Sequence, residues 1–261
     1  MTARVRSKDG TPIAFERSGS GQPLILVDGA LCSRRFGPMP KLAPLLAQRF
    51  TVYQYDRRGR NESGDTAPYS VAREVEDLEA LIHEAGGEAF VYGVSSGAAL
   101  ALEAAARGLR IRKLALYEPP FVVDANGARP ADHVTRLKQS LATGRRGDAV
   151  KYFMTKMVGM PALFVFPMRL LPMWSKLEAV AHTLPYDAAI VLDETLLGER
   201  AARVRVPTLV IGGANSPPKL RHAVEATGAV VPGAERRFLK GQTHNVSPQA
   251  LAPVLREYFA A

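Results

Sequence analysis

The stretch Phe90-Val91-Tyr92-Gly93-Val94-Ser95-Ser96-Gly97-Ala98-Ala99-Leu100-Ala101-Leu102 fixes how the chain around it is read. A β-branched and aromatic run stops at a glycine and gives way to a small-residue helical pattern, which predicts strand, sharp turn and helix. Ser95 stands at the apex of that turn. Gly93 and Gly97, two residues to either side, let strand and helix approach closely, as a strained elbow with an exposed serine hydroxyl requires. The plainer alternative is a glycine-softened turn with no chemistry.

Upstream, Ala3 to Ser7 and Thr11 to Arg17 flank the turn signal Lys8-Asp9-Gly10 and predict a hairpin. Pro23 to Val27 is a continuous apolar run of the kind a parallel strand shows when both its faces are covered. A helix over Lys41 to Gln48 and a strand over Phe50 to Tyr55 follow. Ser70 is a candidate N-cap for a helix in which Val71, Val75, Leu78, Leu81 and Ile82 recur at helical spacing. Glu74, Glu76 and Asp77 lie in its early turns, where the helix dipole favours acids. Downstream of the elbow, Lys113 to Tyr117 predicts the next strand. From about Phe121 to Arg203 the pattern is helical, and Val206 to Gly213 returns to the sheet. Arg236 to Leu239 predicts a last strand, with an amphipathic helix after Pro248. Alternating strands and helices imply an α/β fold with a mostly parallel, doubly wound sheet. The expected division is a core of residues 1–120 and 204–261 with a helical cap, residues 121–203, inserted in it.

At 261 residues the chain is long enough for one large domain carrying an insertion. Apolar residues make up 47% and charged residues 23%, which excludes a disordered chain. The net charge of +9 comes mostly from arginines at 34–35, 57–58, 145–146 and 236–237, with no dense stripe and no interleaved aromatics. That distribution reads as a solvated basic surface, and no nucleic-acid partner is expected. A lone cysteine, Cys32, excludes an internal disulfide and suits a reducing compartment. The first ten residues are too polar for a signal peptide, and the run Met157 to Met168 is broken by Pro161 and too short to span a bilayer. A cytoplasmic protein with no membrane partner is the expectation, and the oligomeric state stays open. Metal-ligand spacing and phosphate-binding glycine loops are missing from the sequence, so no metal or cofactor is expected.

A serine hydroxyl becomes a nucleophile only when a base takes its proton. Of five histidines, His83 and His222 fall on predicted helices and His133 and His182 in the cap. His244 follows the last strand in a polar loop, on the sheet end where loops carry function, and is the candidate base. Five of the seven methionines lie between Met154 and Met173 among Phe153, Phe164, Phe166 and Trp174. Such a soft apolar surface suits either the cap's own core or a pocket for an apolar ligand, for which Met157, Phe164 and Trp174 are the candidates.

Four stretches together resemble the α/β-hydrolases of the epoxide-hydrolase and haloperoxidase-like type. They are Leu26 to Ala30, Tyr55 to Ser63, Gly93 to Gly97, and Gly241 to His244, and the likeness spans nearly the whole chain outside the cap. The resemblance implies an oxyanion hole formed by the amides of Ala30 and Ser96, and a structural role for Asp56 and Arg57. Three positions depart from the family's pattern. Asp28 replaces a common histidine, and a buried carboxylate there is costly unless paired. Val94 makes the elbow more apolar. Asn215 stands where the family usually supplies the triad acid, and an amide in that role favours the wrong histidine tautomer. Some relatives place the acid after the strand that follows the elbow helix, where this chain has Glu118; Asp124 is the poorer candidate. The resulting expectation is a serine hydrolase that cleaves a carboxylic ester or thioester of a small, mainly apolar molecule. Ser95, His244 and Glu118 would be its catalytic residues. The alternatives are a cofactor-free lyase or cyclase on the same fold and a ligand-binding protein without catalysis.

Overall fold

The computed structural model of the protein describes residues 2–121, 130–193 and 195–261. Eight strands form one sheet in the order β1-β2-β4-β3-β5-β6-β7-β8. The hairpin predicted at the start is β1 (Ala3–Arg6) and β2 (Pro12–Ser18), paired antiparallel at one edge. β3 (Gln22–Val27), β4 (Phe50–Tyr55), β5 (Ala89–Val94), β6 (Ile111–Tyr117), β7 (Thr208–Gly213) and β8 (Glu235–Leu239) are mutually parallel. β5, β7 and the last four residues of β3 are buried on both faces, which is why they read as apolar runs rather than as alternation.

Alternate side chains of each strand go to opposite layers. In β3, Ile25 and Val27 join one core with α2 (Val71–Glu84) and α3 (Ser96–Ala106). Leu24 and Leu26 join the other core, which α1 (Met39–Leu46) and the closing helix (Pro248–Ala260) cover. Ser70 takes the N-cap position of α2 with an extended backbone, but its side chain makes no capping bond.

Between β6 and β7 the described residues hold no strand. They form α4 (Pro130–Ala142), α5 (Arg146–Tyr152), α6 (Ala162–Met168), α7 (Met173–Ala179) and α8 (Leu184–Val191), joined by single helical turns. These helices share a third apolar core that closes over Leu31, just beyond the β3 terminus. After β7 comes α9 (Pro218–Val230), and the closing helix is α10.

Burial corrects the reading of the arginines as a solvated surface at positions 34, 57 and 58, whereas Arg35, Arg145, Arg146 and Arg236 are exposed. Arg34, Arg57, Arg58 and Arg60 are each no more than 3% exposed. Each meets carboxylates: Asp56 for Arg34, Asp77 and Asp9 for Arg58, and Glu74 and Asp187 for the remaining pair. Glu74 and Asp77 are therefore not dipole-compensating surface acids but interior partners of the loop after β4, since a guanidinium is retained in a protein interior only when it is paired and hydrogen-bonded.

Candidate active site

Ser95 ends the central strand β5 with φ 55° and ψ −126°, a left-handed conformation that side-chain-bearing residues rarely adopt. Its amide donates to the Tyr117 carbonyl at 2.9 Å, and its own carbonyl accepts from the amides of Ala98 and Ala99 at 2.9 and 3.2 Å. A Cβ on Gly93 would lie 2.5 Å from the Gly97 carbonyl oxygen, and one on Gly97 would overlap the carbonyl oxygens of Val27 and Asp28. Both glycines are thus required for α3 to start this close to β3 and β5. Across from the serine, a Cβ on Gly29 would come within 3.2 Å of Ser95 Cβ. The loop after β3 therefore presses directly on the elbow. Neither the Ala30 amide nor the Ser96 amide is engaged in a hydrogen bond with another described residue.

Glu118, also left-handed at φ 44°, follows β6 and is fully buried. One carboxylate oxygen, Oε2, meets His244 Nδ1 at 2.7 Å. The other, Oε1, accepts from the Gly213 amide at 2.7 Å and from Ser216 Oγ at 2.5 Å. Burial works against its charge, but the bonds from His244, Ser216 and the Gly213 amide outweigh that and hold the carboxyl below its ordinary range. The histidine loop is held just before His244 by two bonds to its backbone. Tyr117 Oη donates to the Thr243 carbonyl at 2.6 Å, and the Asn215 amide donates to the Gln242 carbonyl at 2.9 Å. The Asn215 side chain is exposed and makes no hydrogen bond among the described residues. The carboxylate that meets the imidazole thus comes from the end of β6, two strands from β8, and not from position 215. Ser95 Oγ has no hydrogen-bond partner among the described residues; nucleophile–base contacts are commonly loose in a free enzyme and tighten with substrate. Asp124 lies outside the described residues.

A second cluster supports the elbow from behind. Asp187, on α8, is fully buried and accepts from Arg57 Nη1 at 2.8 Å, from Arg60 Nη2 at 2.8 and 2.9 Å, and from Ser96 Oγ at 2.7 Å. Arg60 Nη1 in turn donates to the Gly29 carbonyl at 2.5 Å, and Arg57 Nη1 to the Asp28 carbonyl at 3.3 Å. Glu74 closes the cluster on Arg57 Nη2 at 2.6 Å. Burial opposes the Asp187 charge, yet Arg60, Arg57 and Ser96 hold its carboxyl below the usual range. One cap carboxylate therefore ties together the residue after the nucleophile and the loop before it. Neither motif nor periodicity marks Asp187, Ser216 or Tyr117 as functional in the sequence.

Asp28 has no such partners. Its side chain is buried with neither oxygen accepting a hydrogen bond. Burial pushes it up to about 7, against the pull of Arg60, the Gly29 amide, Arg57 and the Cys32 thiol, none of which closes a full hydrogen bond or ion pair with it. Those two guanidiniums are already matched by Glu74 and Asp187, so Asp28 is left without a counterion of its own.

The candidate pocket residues separate. Trp174 is interior to the cap and its indole N–H donates to Glu178 at 2.8 Å. Met157 and Ala30 pack against that same cap core. Phe164 does not line a closed pocket: it is 62% exposed, because Val165 takes the inward position of the short helix α6.

Comparison with known proteins assigns the fold to a family. The profile of the alpha/beta hydrolase family matches residues 21–255. No curated protein matches the chain. An alpha/beta hydrolase from Sphaerobacter thermophilus is 54% identical, with a TM-score of 0.92 over 98% of this chain and 100% of the other. A thermophilic esterase from Thermogutta terrifontis shares the fold at 19% identity and a TM-score of 0.76, covering 100% of this chain and 98% of its own. An enol-lactonase from Burkholderia xenovorans does so at 18% and 0.71, covering 99% and 100%. With this profile match, and with more than half its residues shared with a hydrolase along its full length, the chain belongs to the alpha/beta hydrolase family.

Proposed function

We propose that the protein is a serine hydrolase cleaving a carboxylic ester or thioester of a small, mainly apolar molecule through an acyl-enzyme. The observation that carries this reading is the 2.7 Å contact between Glu118, at the end of the strand beside the strained elbow, and His244 Nδ1, on the loop that follows β8. Held through Nδ1, the imidazole keeps Nε2 free to accept the Ser95 proton, and the carboxylate stabilises the imidazolium as it forms. Ser95 Oγ then bonds to the substrate carbonyl carbon, and the amides of Ala30 and Ser96 donate to the developing oxyanion. The bond to the leaving oxygen or sulfur breaks as Nε2 returns the proton to it. Water repeats the sequence, and the acid leaves with Ser95 regenerated. Substrates of this class suit the apolar cap core beside the Ala30 loop, where Met157 is the proposed size-reading contact. The case for a non-hydrolytic enzyme draws on Asn215, Val94 and Asp28, and a carboxylate from Glu118 weakens the first of these.

A fluorophosphonate probe followed by peptide mass spectrometry, together with p-nitrophenyl ester turnover, tests the reading. The expected result is a stoichiometric adduct on Ser95, lost together with turnover in Ser95→Ala. Absence of labelling, or labelling that persists in Ser95→Ala, refutes it.

A further inference from the structure

Seven large apolar side chains are exposed among the described residues, and six of them fall between Val158 and Leu171 on the cap. Leu163 and Leu170 are 80% and 82% exposed, and Phe164 and Phe166 stand out from the same turns. Only Val165 of α6 is buried, so this helix is apolar on its outer side as well as its inner one. A patch of that kind marks a surface that meets something other than water.

Its charge is equally one-sided. From Ala149 to Leu177 the chain carries Lys151, Lys156, Arg169 and Lys176 and no acid at all. All four are exposed. Beside the patch lies a cavity of about 370 Å³ lined by Arg145, Arg146 and Arg169 together with Asp148 and Glu178. Glu178 already accepts from the Trp174 indole, and none of the three arginines is in an ion pair among the described residues. Planar guanidiniums match phosphate oxygens in a fork-like fashion.

We propose that this face of the cap docks on an anionic phospholipid surface. The side chains of Leu163, Phe166 and Leu170 enter the boundary between headgroups and acyl chains, and the arginine-lined cavity receives a lipid phosphate. Apolar side chains flanked by cations are the combination that lies in such an interface. A second copy of the chain is the rival occupant, and charge argues against it. A two-fold interface sets the same patch against itself, which brings four cations of one copy against four of the other, with acids only at the margin, Asp148 and Glu178, the latter already bonded to the Trp174 indole. A bilayer of anionic lipid instead opposes a molecule of net charge +9. No described helix is long and apolar enough to cross a membrane, and docking on the surface needs none. The proposal does not depend on the chemistry at Ser95.

Co-sedimentation of the full chain with vesicles of phosphatidylcholine alone, and of phosphatidylcholine mixed with phosphatidylglycerol, tests it. Binding to the mixed vesicles is expected to exceed binding to the neutral ones by at least about tenfold at low salt, and to fall as salt screens the surface charge. Leu163→Glu with Leu170→Glu, and separately Arg145→Glu with Arg169→Glu, should each remove most of that binding at an unchanged melting temperature. Equal binding to both vesicle types, or mixed-vesicle binding that survives both double variants, overturns the proposal. So does a concentration-dependent dimer that Leu163→Glu with Leu170→Glu dissociates, since that assigns the face to a second copy.

Discussion

Replacing Asp28 by asparagine isolates the energetic consequence of burying a carboxyl without a partner. In the folded protein the group titrates at about 7 against an ordinary value of 3.8, burial being the main cause. Between those values the folded state holds a proton that the unfolded state releases, so stability falls as pH climbs through this window and levels off above the folded pKa. Three units at about 1.4 kcal/mol each give a total of about 4 kcal/mol. Between about pH 5 and about pH 8 the same relation leaves roughly 2.5 kcal/mol. Asparagine keeps the shape of the protonated acid and does not titrate, so any cost of its own unpartnered amide is the same at every pH. Urea unfolding of both proteins across this range gives the difference directly, because every other titrating group cancels. The wild type is expected to lose about 2.5 kcal/mol relative to Asp28→Asn on going from the lower to the higher pH. Parallel curves would show that Asp28 keeps one charge state throughout, and the account of an unpaired buried carboxyl would be wrong.

Glu118→Gln should lower kcat at least about a hundredfold with little change in KM, as expected for an interaction made chiefly in the transition state, whereas Asn215→Asp should be nearly neutral. Steady-state kinetics on one ester decides, and a harmless Glu118→Gln would point to a different acid. Asp187→Ala leaves the buried guanidiniums of Arg57 and Arg60 short of a partner and should cost roughly 3–5 kcal/mol in chemical unfolding. Because the Asp187 carboxyl is held low, its contribution is present at neutral pH and lost as pH falls through its folded value, so the gap between wild type and variant should narrow in acid. Ser96→Ala keeps the amide proposed for the oxyanion hole but loses the bond to Asp187, and should retain part of the activity that Ser95→Ala abolishes. Truncating Met157 should shift selectivity between adjacent acyl homologues by roughly 1–3 kcal/mol in kcat/KM. An effect on stability alone would make Met157 a packing residue.

The order of strands and helices, the elbow around Ser95 and the helical character of the insertion were all legible in the residues themselves. Their signals are local: apolar runs mark strands covered on both faces, a 3.6-residue period marks α2, and glycines at 93 and 97 mark a close approach of backbones. Glu118 was legible too, from its place after the strand that follows the elbow helix, ahead of Asp124. What the tertiary structure decided is partnership. Glu118 and His244 lie 126 residues apart, and Asp187 lies 91 from Ser96 and 130 from Arg57. Contacts at such separations leave no period or spacing to read, because they exist only once the sheet sets strand ends side by side. The same reason hid the buried arginines, whose sequence neighbours look like any solvated basic loop until carboxylates from α2 and α8 arrive. It also hid the direction of Phe164, since a seven-residue helix apolar on every side carries no preference of its own, and only packing against the rest of the cap chose Val165 to face inward.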